Sequence, residues 1–76
     1  MNNTRRSILR KILEQLEEIA ISLSNVLNDE MQSYNSLPDG LKDSERGFKS
    51  EDCIENLGDA TINLRDAIIS INTATS

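Results

Sequence analysis

The sequence predicts an all-α fold: an antiparallel two-helix hairpin of coiled-coil character, associating as a homo-oligomeric helical bundle. Three observations point there. Proline, aspartate and glycine come together in one place only, Ser36-Leu37-Pro38-Asp39-Gly40-Leu41, at the midpoint of the 76 residues. Apolar residues recur with helical spacing on both sides of it. The two stripes also fall into register about that turn, since Leu9 with Ile71, Leu16 with Leu64 and Leu23 with Leu57 are each symmetric about Gly40.

The first helix is expected over residues 4 to 35, with Asn3 or Thr4 as its cap. In heptad letters, Leu9, Leu16 and Leu23 are a positions, Ile12, Ile19 and Val26 are d, and Leu13, Ala20 and Leu27 are e. That is the three-in-seven stripe of a helix packed on a neighbour. Glu30 then falls on a, while Met31 and Tyr34 continue the edge, so the helix should stop near Tyr34. In the turn, residues 36 to 43, proline pushes Leu37 out of the helical region and can itself begin one short helical turn through Leu41. Asp43 or Ser44 offers an N-cap oxygen for a second helix over 44 to 73.

The second stripe reads Cys53, Ile54, Leu57, Ala60, Leu64, Ala67, Ile68 and Ile71. Symmetry about Gly40 places Ile12 against Ala67 and Ile68, Ile19 against Ala60 and Thr61, and Val26 against Cys53 and Ile54. Gly58, Ala60 and Ala67 would let the partner backbone come close, and the weak helix formers of Asn72 to Ser76 should fray.

Composition limits the chemistry. There is no histidine and a single cysteine, so neither a Cys-His nucleophile nor a zinc site can be built within one chain. Cys53, at a d position, reads as a small buried hydrophobe, and the lack of a second cysteine suits a reducing, cytoplasmic setting. Glu14, Glu17 and Glu18, with Glu51, Asp52, Glu55 and Asp59, lie off the apolar stripes and read as a solvated face rather than an acid/base or metal array. No cofactor is expected. No apolar run is long enough to cross a bilayer, and a net charge of −5 disfavours direct nucleic-acid binding and adhesion to anionic lipid. The chain therefore reads as non-enzymatic.

Two features remain as candidate sites. Arg5, Arg6, Arg10 and Lys11 put half of the positive charge into the first eleven residues, and hairpin symmetry brings Arg65 toward them. Arginine forks from several subunits can converge on a phosphate-bearing ligand or an acidic protein surface. The same side chains can instead offset the C-terminal dipole of the second helix and pair with Glu14 or Asp66. Arg46 similarly can hold the turn, through a carboxylate or the exposed carbonyls ending the first helix, or recognise a partner there. The second feature is apolar. Ile21, Phe48, Ile62 and Ile69 at f, with Ile8 at g, lie outside the seam, where a solvated helix would be polar. They are the expected oligomer interface, in a dimer or higher assembly.

Across Tyr34-Asn35-Ser36-Leu37-Pro38-Asp39-Gly40-Leu41-Lys42-Asp43-Ser44-Glu45-Arg46-Gly47 the chain resembles an uncharacterised group of short helical-hairpin proteins from phages and mobile elements of Gram-positive bacteria. They share a tyrosine, then Leu-Pro-acid, then leucine, then Ser-Glu-Arg. The resemblance implies a small accessory protein in the cytoplasm of a bacterial host. Such a protein would sequester or block a host target, either a defence protein or a nucleotide immune signal. The alternative is a module that scaffolds other phage proteins.

Overall fold

A computed structural model describes residues 1–76. Helix α1 runs Asn3–Asn35, a single turn α2 runs Asp39–Lys42, and α3 runs Glu45–Thr75. The long helices pack on each other as a rod of 58 × 15 × 13 Å. Its radius of gyration is 17.2 Å, against about 11 Å for a compact chain of this length.

Local signals explain the boundaries. Asn2 caps α1, its Oδ1 accepting from the backbone N–H of Arg5 at 2.8 Å. The cap thus sits ahead of Asn3 and Thr4, because the extended backbone of Asn2 aims its carboxamide at the orphan N–H three residues on. At the other end Ser36 closes the helix, its backbone N–H and its hydroxyl both donating to the Gln32 carbonyl at 3.0 and 2.9 Å. Leu37 leaves the helix ahead of Pro38, and the Pro38 carbonyl accepts from the N–H groups of Leu41 and Lys42 at 2.8 and 3.1 Å. That pair of bonds is the short turn α2. Ser44 is the N-cap of α3, yet its side chain makes no capping bond; its hydroxyl donates backward to the Leu41 carbonyl. Helix α3 continues to Thr75, with the hydroxyls of Thr73 and Thr75 donating to the carbonyls of Ile69 and Asn72 at 3.0 Å each.

The seam is narrower than the stripe. On α1 the side chains turned inward along the seam are Leu9, Leu13, Leu16, Ala20, Leu23, Leu27, Glu30 and Tyr34, followed by Leu37 after the helix, with Arg6 at the open end and Ser24 at the edge also partly covered. On α3 they are Gly47, Ser50, Ile54, Leu57, Thr61, Leu64, Ile68, Ile71 and Thr75, with Gly58 at the edge. Apart from Ser24 at the edge, only a and e positions of α1 are used. Ile12, Ile19 and Val26, the d positions expected in the core, are exposed, as are Cys53, Ala60 and Ala67 on α3. The physical reason is geometric. Two helices alone share one line of contact, and a stripe spanning a, d and e is too wide for a single partner to cover.

The centre moves as well. Reflecting the inward residues of α1 about Lys42 lands on an inward residue of α3 in all nine cases, Leu9 on Thr75 through Leu37 on Gly47. Reflection about Gly40 sends Leu13, Ala20 and Leu27 to Ala67, Ala60 and Cys53, all exposed. The inserted turn α2 takes up the difference. Closure there depends on Gly47, which is buried. A Cβ on it would lie 2.6 Å from the Leu41 carbonyl oxygen and closer still to that of Lys42. Gly58, by contrast, has nothing within 4 Å of where a Cβ would stand, so it is not a point of close approach.

Candidate interaction surfaces

Helical phase divides the exposed surface into two flanks. With a and e in the seam, the d and g positions of α1 turn to one side and b and f to the other. Helix α3 uses the same letters and runs antiparallel, so the like-lettered rows of both helices share a flank. Clefts confirm this: Ser33 of α1 and Lys49 and Cys53 of α3 line one hollow on the d/g flank. On the opposite flank a groove of about 450 Å³ is shared by Glu17, Ile21 and Ser24 of α1 with Arg65 and Ile69 of α3.

The five residues expected at an oligomer interface are all exposed, from 54 % for Ile8 and Phe48 to 64 % for Ile21. They do not form one surface. Ile21, Phe48, Ile62 and Ile69 lie on the b/f flank among charged neighbours, while Ile8 lies on the d/g flank with Ile12, Ile19 and Val26. Sequence reasoning missed that second row because it assigned Ile12, Ile19 and Val26 to the core. The signal was present in the width of the apolar stripe.

The charged candidates separate into three places. Arg5, Arg6, Arg10 and Lys11 stand at the open end of the hairpin. Arg65 lies farther in, on the groove with Glu17 and Ile21; the residue across from it by reflection about Lys42 is Ile19, some nine residues or roughly 14 Å from Arg10. Arg46 is at the turn, beside Asp29, Gln32 and Ser36. The rod contains two ion pairs, Lys42 with Asp39 at 3.9 Å and Lys49 with Glu45 at 3.4 Å, both near the turn. Neither Arg46 nor any cation of the open end takes part in one, so the expected pairings with Glu14, Asp66 or a carboxylate at the turn do not form. At the open end, Arg6 bonds Asn3 at 3.4 Å through a terminal nitrogen, and its Nε is buried without a partner.

What holds the turn end is a polar layer. Glu30, on an a position, accepts from the Ser50 hydroxyl at 2.9 Å. One turn later the Tyr34 hydroxyl donates to Glu51 at 2.5 Å, and the Lys42 ammonium sits 5.7 Å from the Tyr34 ring centre. The hydrogen bond to Glu51, aided by desolvation and the negative charges of Glu51 and Asp43, pushes the Tyr34 phenol above its ordinary value of 10.0. This layer explains why Glu30 interrupts the apolar stripe without ending the helix.

No three carboxylate or cysteine side chains converge as a metal site, and no helix is long and apolar enough to cross a membrane. No protein-family model, curated protein or solved structure matches the chain.

Proposed function

We propose that this protein is a non-enzymatic binding protein, a hairpin that acts by occupying or sequestering another molecule. The observation that carries the reading is the imbalance of its apolar surface. Two hydrophobic residues, Leu13 and Ala20, are buried, while eleven large ones stand exposed. A chain arranged this way spends its side chains on surfaces for other molecules rather than on an interior.

The unpaired cations of the open end supply a second chemistry. Arg5, Arg6, Arg10 and Lys11 suit a phosphate-bearing ligand or an acidic protein surface, because guanidinium forks not committed to internal carboxylates are available to external ones. In the mobile-element setting that the turn motif suggests, such a partner is a component of host defence, either an effector protein or a nucleotide signal. The exposed b/f row of Ile21, Phe48, Ile62 and Ile69 favours a second reading, a module that scaffolds other phage proteins.

A thermal-shift screen with nucleotides and other anions tests the ligand reading. A ligand at 100 times its dissociation constant adds about 2.7 kcal/mol, roughly 10–20 °C for a domain of this size. The combined exchange of Arg5, Arg6 and Arg10 for alanine should abolish that shift. Should no anion raise the melting temperature, and the triple variant capture host proteins as well as the parent does, the open end is not a binding site.

A further inference from the structure

We infer that the d/g flank is the interface between two copies of this chain, the row of Ile12, Ile19 and Val26 on α1 of each copy seating on the small-residue row of Cys53, Ala60, Ala67 and Ala74 on α3 of the other. The inference deepens the binding reading above, because it names one occupant for one of the two flanks.

Charge comes first. Between Ile8 and Val26, and between Cys53 and Ala74, every charged residue occupies a b, c or f position; the d and g positions hold Ile, Val, Ala, Cys, Ser, Asn and Gln. The protein carries a net charge of −5 with twenty-one charged side chains, and it keeps all of them off one flank over about half of the rod; Arg5 beyond one end of that stretch and Asp29, Arg46 and Lys49 beyond the other bring charge back to it. A solvated flank would not be sorted so. A surface that packs against another chain is, because a charge placed within that stretch would be buried against the uncharged Ile, Ala and Cys row of the other copy with no counter-charge.

Shape is the second argument. Ile19 and Val26 are each 54 % exposed, a ridge along α1. Across the seam the d positions of α3 from Cys53 to Ala74 are small and exposed, a shallow trough. A two-fold axis parallel to the rod carries the ridge of one copy over the trough of the other. By the reflection about Lys42, Ile12 then meets the gap between Ala74 and Ala67, Ile19 that between Ala67 and Ala60, and Val26 that between Ala60 and Cys53. An axis across the rod would set ridge on ridge and leave the troughs open. The parallel seating makes a four-helix bundle with both turns at one end. It also brings Arg5, Arg6, Arg10 and Lys11 of both copies to the other end.

Area is the third. The chain exposes 5625 Å², whereas a compact protein of 8.5 kDa exposes about 4,650 Å². The excess is roughly 1,000 Å², and a stable interface takes about 800 Å² from each partner. The whole flank of 58 by 15 Å, roughly 870 Å², reaches that figure; the uncharged stretch, about 30 Å long, supplies about half of it, and the charged ends bearing Arg5, Asp29, Arg46 and Lys49 supply the rest.

Sedimentation equilibrium of the full chain at micromolar concentration should give twice the 8.5 kDa chain mass. Ile19→Glu and Ala60→Glu should each halve it, while Ile62→Glu with Ile69→Glu, on the opposite flank, leaves the dimer intact. If the glutamate variants do not fold, a chain carrying Ile19→Cys, Ala67→Cys and Cys53→Ala answers in their place: on oxidation it should form a covalent dimer that reductant dissolves. A wild-type monomer, a dimer broken by the Ile62 and Ile69 exchanges instead, or a cysteine pair that never links two chains each overturns the assignment. The outcomes separate from those of the ligand screen. A monomer stabilised by nucleotide refutes the second copy and keeps the binding reading; a dimer indifferent to every anion, whose triple arginine variant captures host proteins as well as the parent does, keeps the second copy and removes the open end as a binding site.

Discussion

Gly47 is the residue whose side chain, a hydrogen atom, decides whether the hairpin can close. It stands where the first turn of α3 passes the carbonyls of Leu41 and Lys42, and those are backbone groups that cannot swing aside. Gly47→Ala should therefore cost at least the upper part of the roughly 1–3 kcal/mol typical of overpacking. Gly58→Ala should do the opposite and stabilise by about 0.5–1 kcal/mol, since nothing lies near its added methyl and its φ is not positive. Urea melts of the two variants check both; equal effects would mean that Gly47 is not a point of close approach. Tyr34 gives a prediction in pH. Its folded pKa is raised above 10.0 by the hydrogen bond to Glu51, so the neutral phenol stabilises the fold below pH 10 and that contribution is lost as pH rises through the folded value. Ultraviolet titration of the only tyrosine should show a midpoint above 10.0, and Tyr34→Phe should flatten the alkaline fall of the melting temperature. If the parent and the variant lose stability in parallel above pH 10, the bond to Glu51 carries no such linkage.

At the scale of the element, the two long helices are held by a line of residues and not by a stripe. Leu13 is 7 % exposed and sits on an e position, which an a/d reading of the heptad would treat as peripheral. Leu13→Ala should cost roughly 2–4 kcal/mol. Ile21→Ala, eight residues on and 64 % exposed, should change stability by less than about 0.5 kcal/mol. A comparison of denaturant midpoints decides, and a larger loss at Ile21 would mean that the seam lies elsewhere. The element boundaries needed no tertiary contact to be read. Proline 38 and the serines on either side of the turn fix where the helices stop and start, through bonds that reach no farther than four residues. The N-cap was misplaced by one or two residues because Asn2, Asn3 and Thr4 are all competent caps, and only the backbone dihedrals of Asn2 select among them.

For the whole molecule, the proposed seating makes the rod one half of a design that a second copy would complete. Its surface exceeds that of a compact chain of equal mass, and one flank is free of charge over about half of its length. Parallel seating would gather eight cations at the open end of a dimer, from Arg5, Arg6, Arg10 and Lys11 of each chain. Their mutual repulsion gives a bound anion something to relieve. The polar layer of Glu30 with Ser50 and Tyr34 with Glu51 pins the register near the turn, so the ridge and the trough keep their relative height. The candidate site was only partly legible beforehand: the basic cluster and the exposed f residues are plain in the residue order, but their separation into an open end, a groove and a turn depends on where α3 lies along α1.

The order of residues by itself determined the helices, the turn between them and the antiparallel arrangement, because spacing of apolar groups, proline and capping chemistry act within a few residues. Tertiary structure alone decided which part of a broad apolar stripe is buried. One partner helix can cover only one line of contact, and the turn α2 with Gly47 sets that line symmetric about Lys42. The isoleucines and valine that sequence reasoning placed inside are thereby left outside, at the same heights as the alanines of the neighbouring helix.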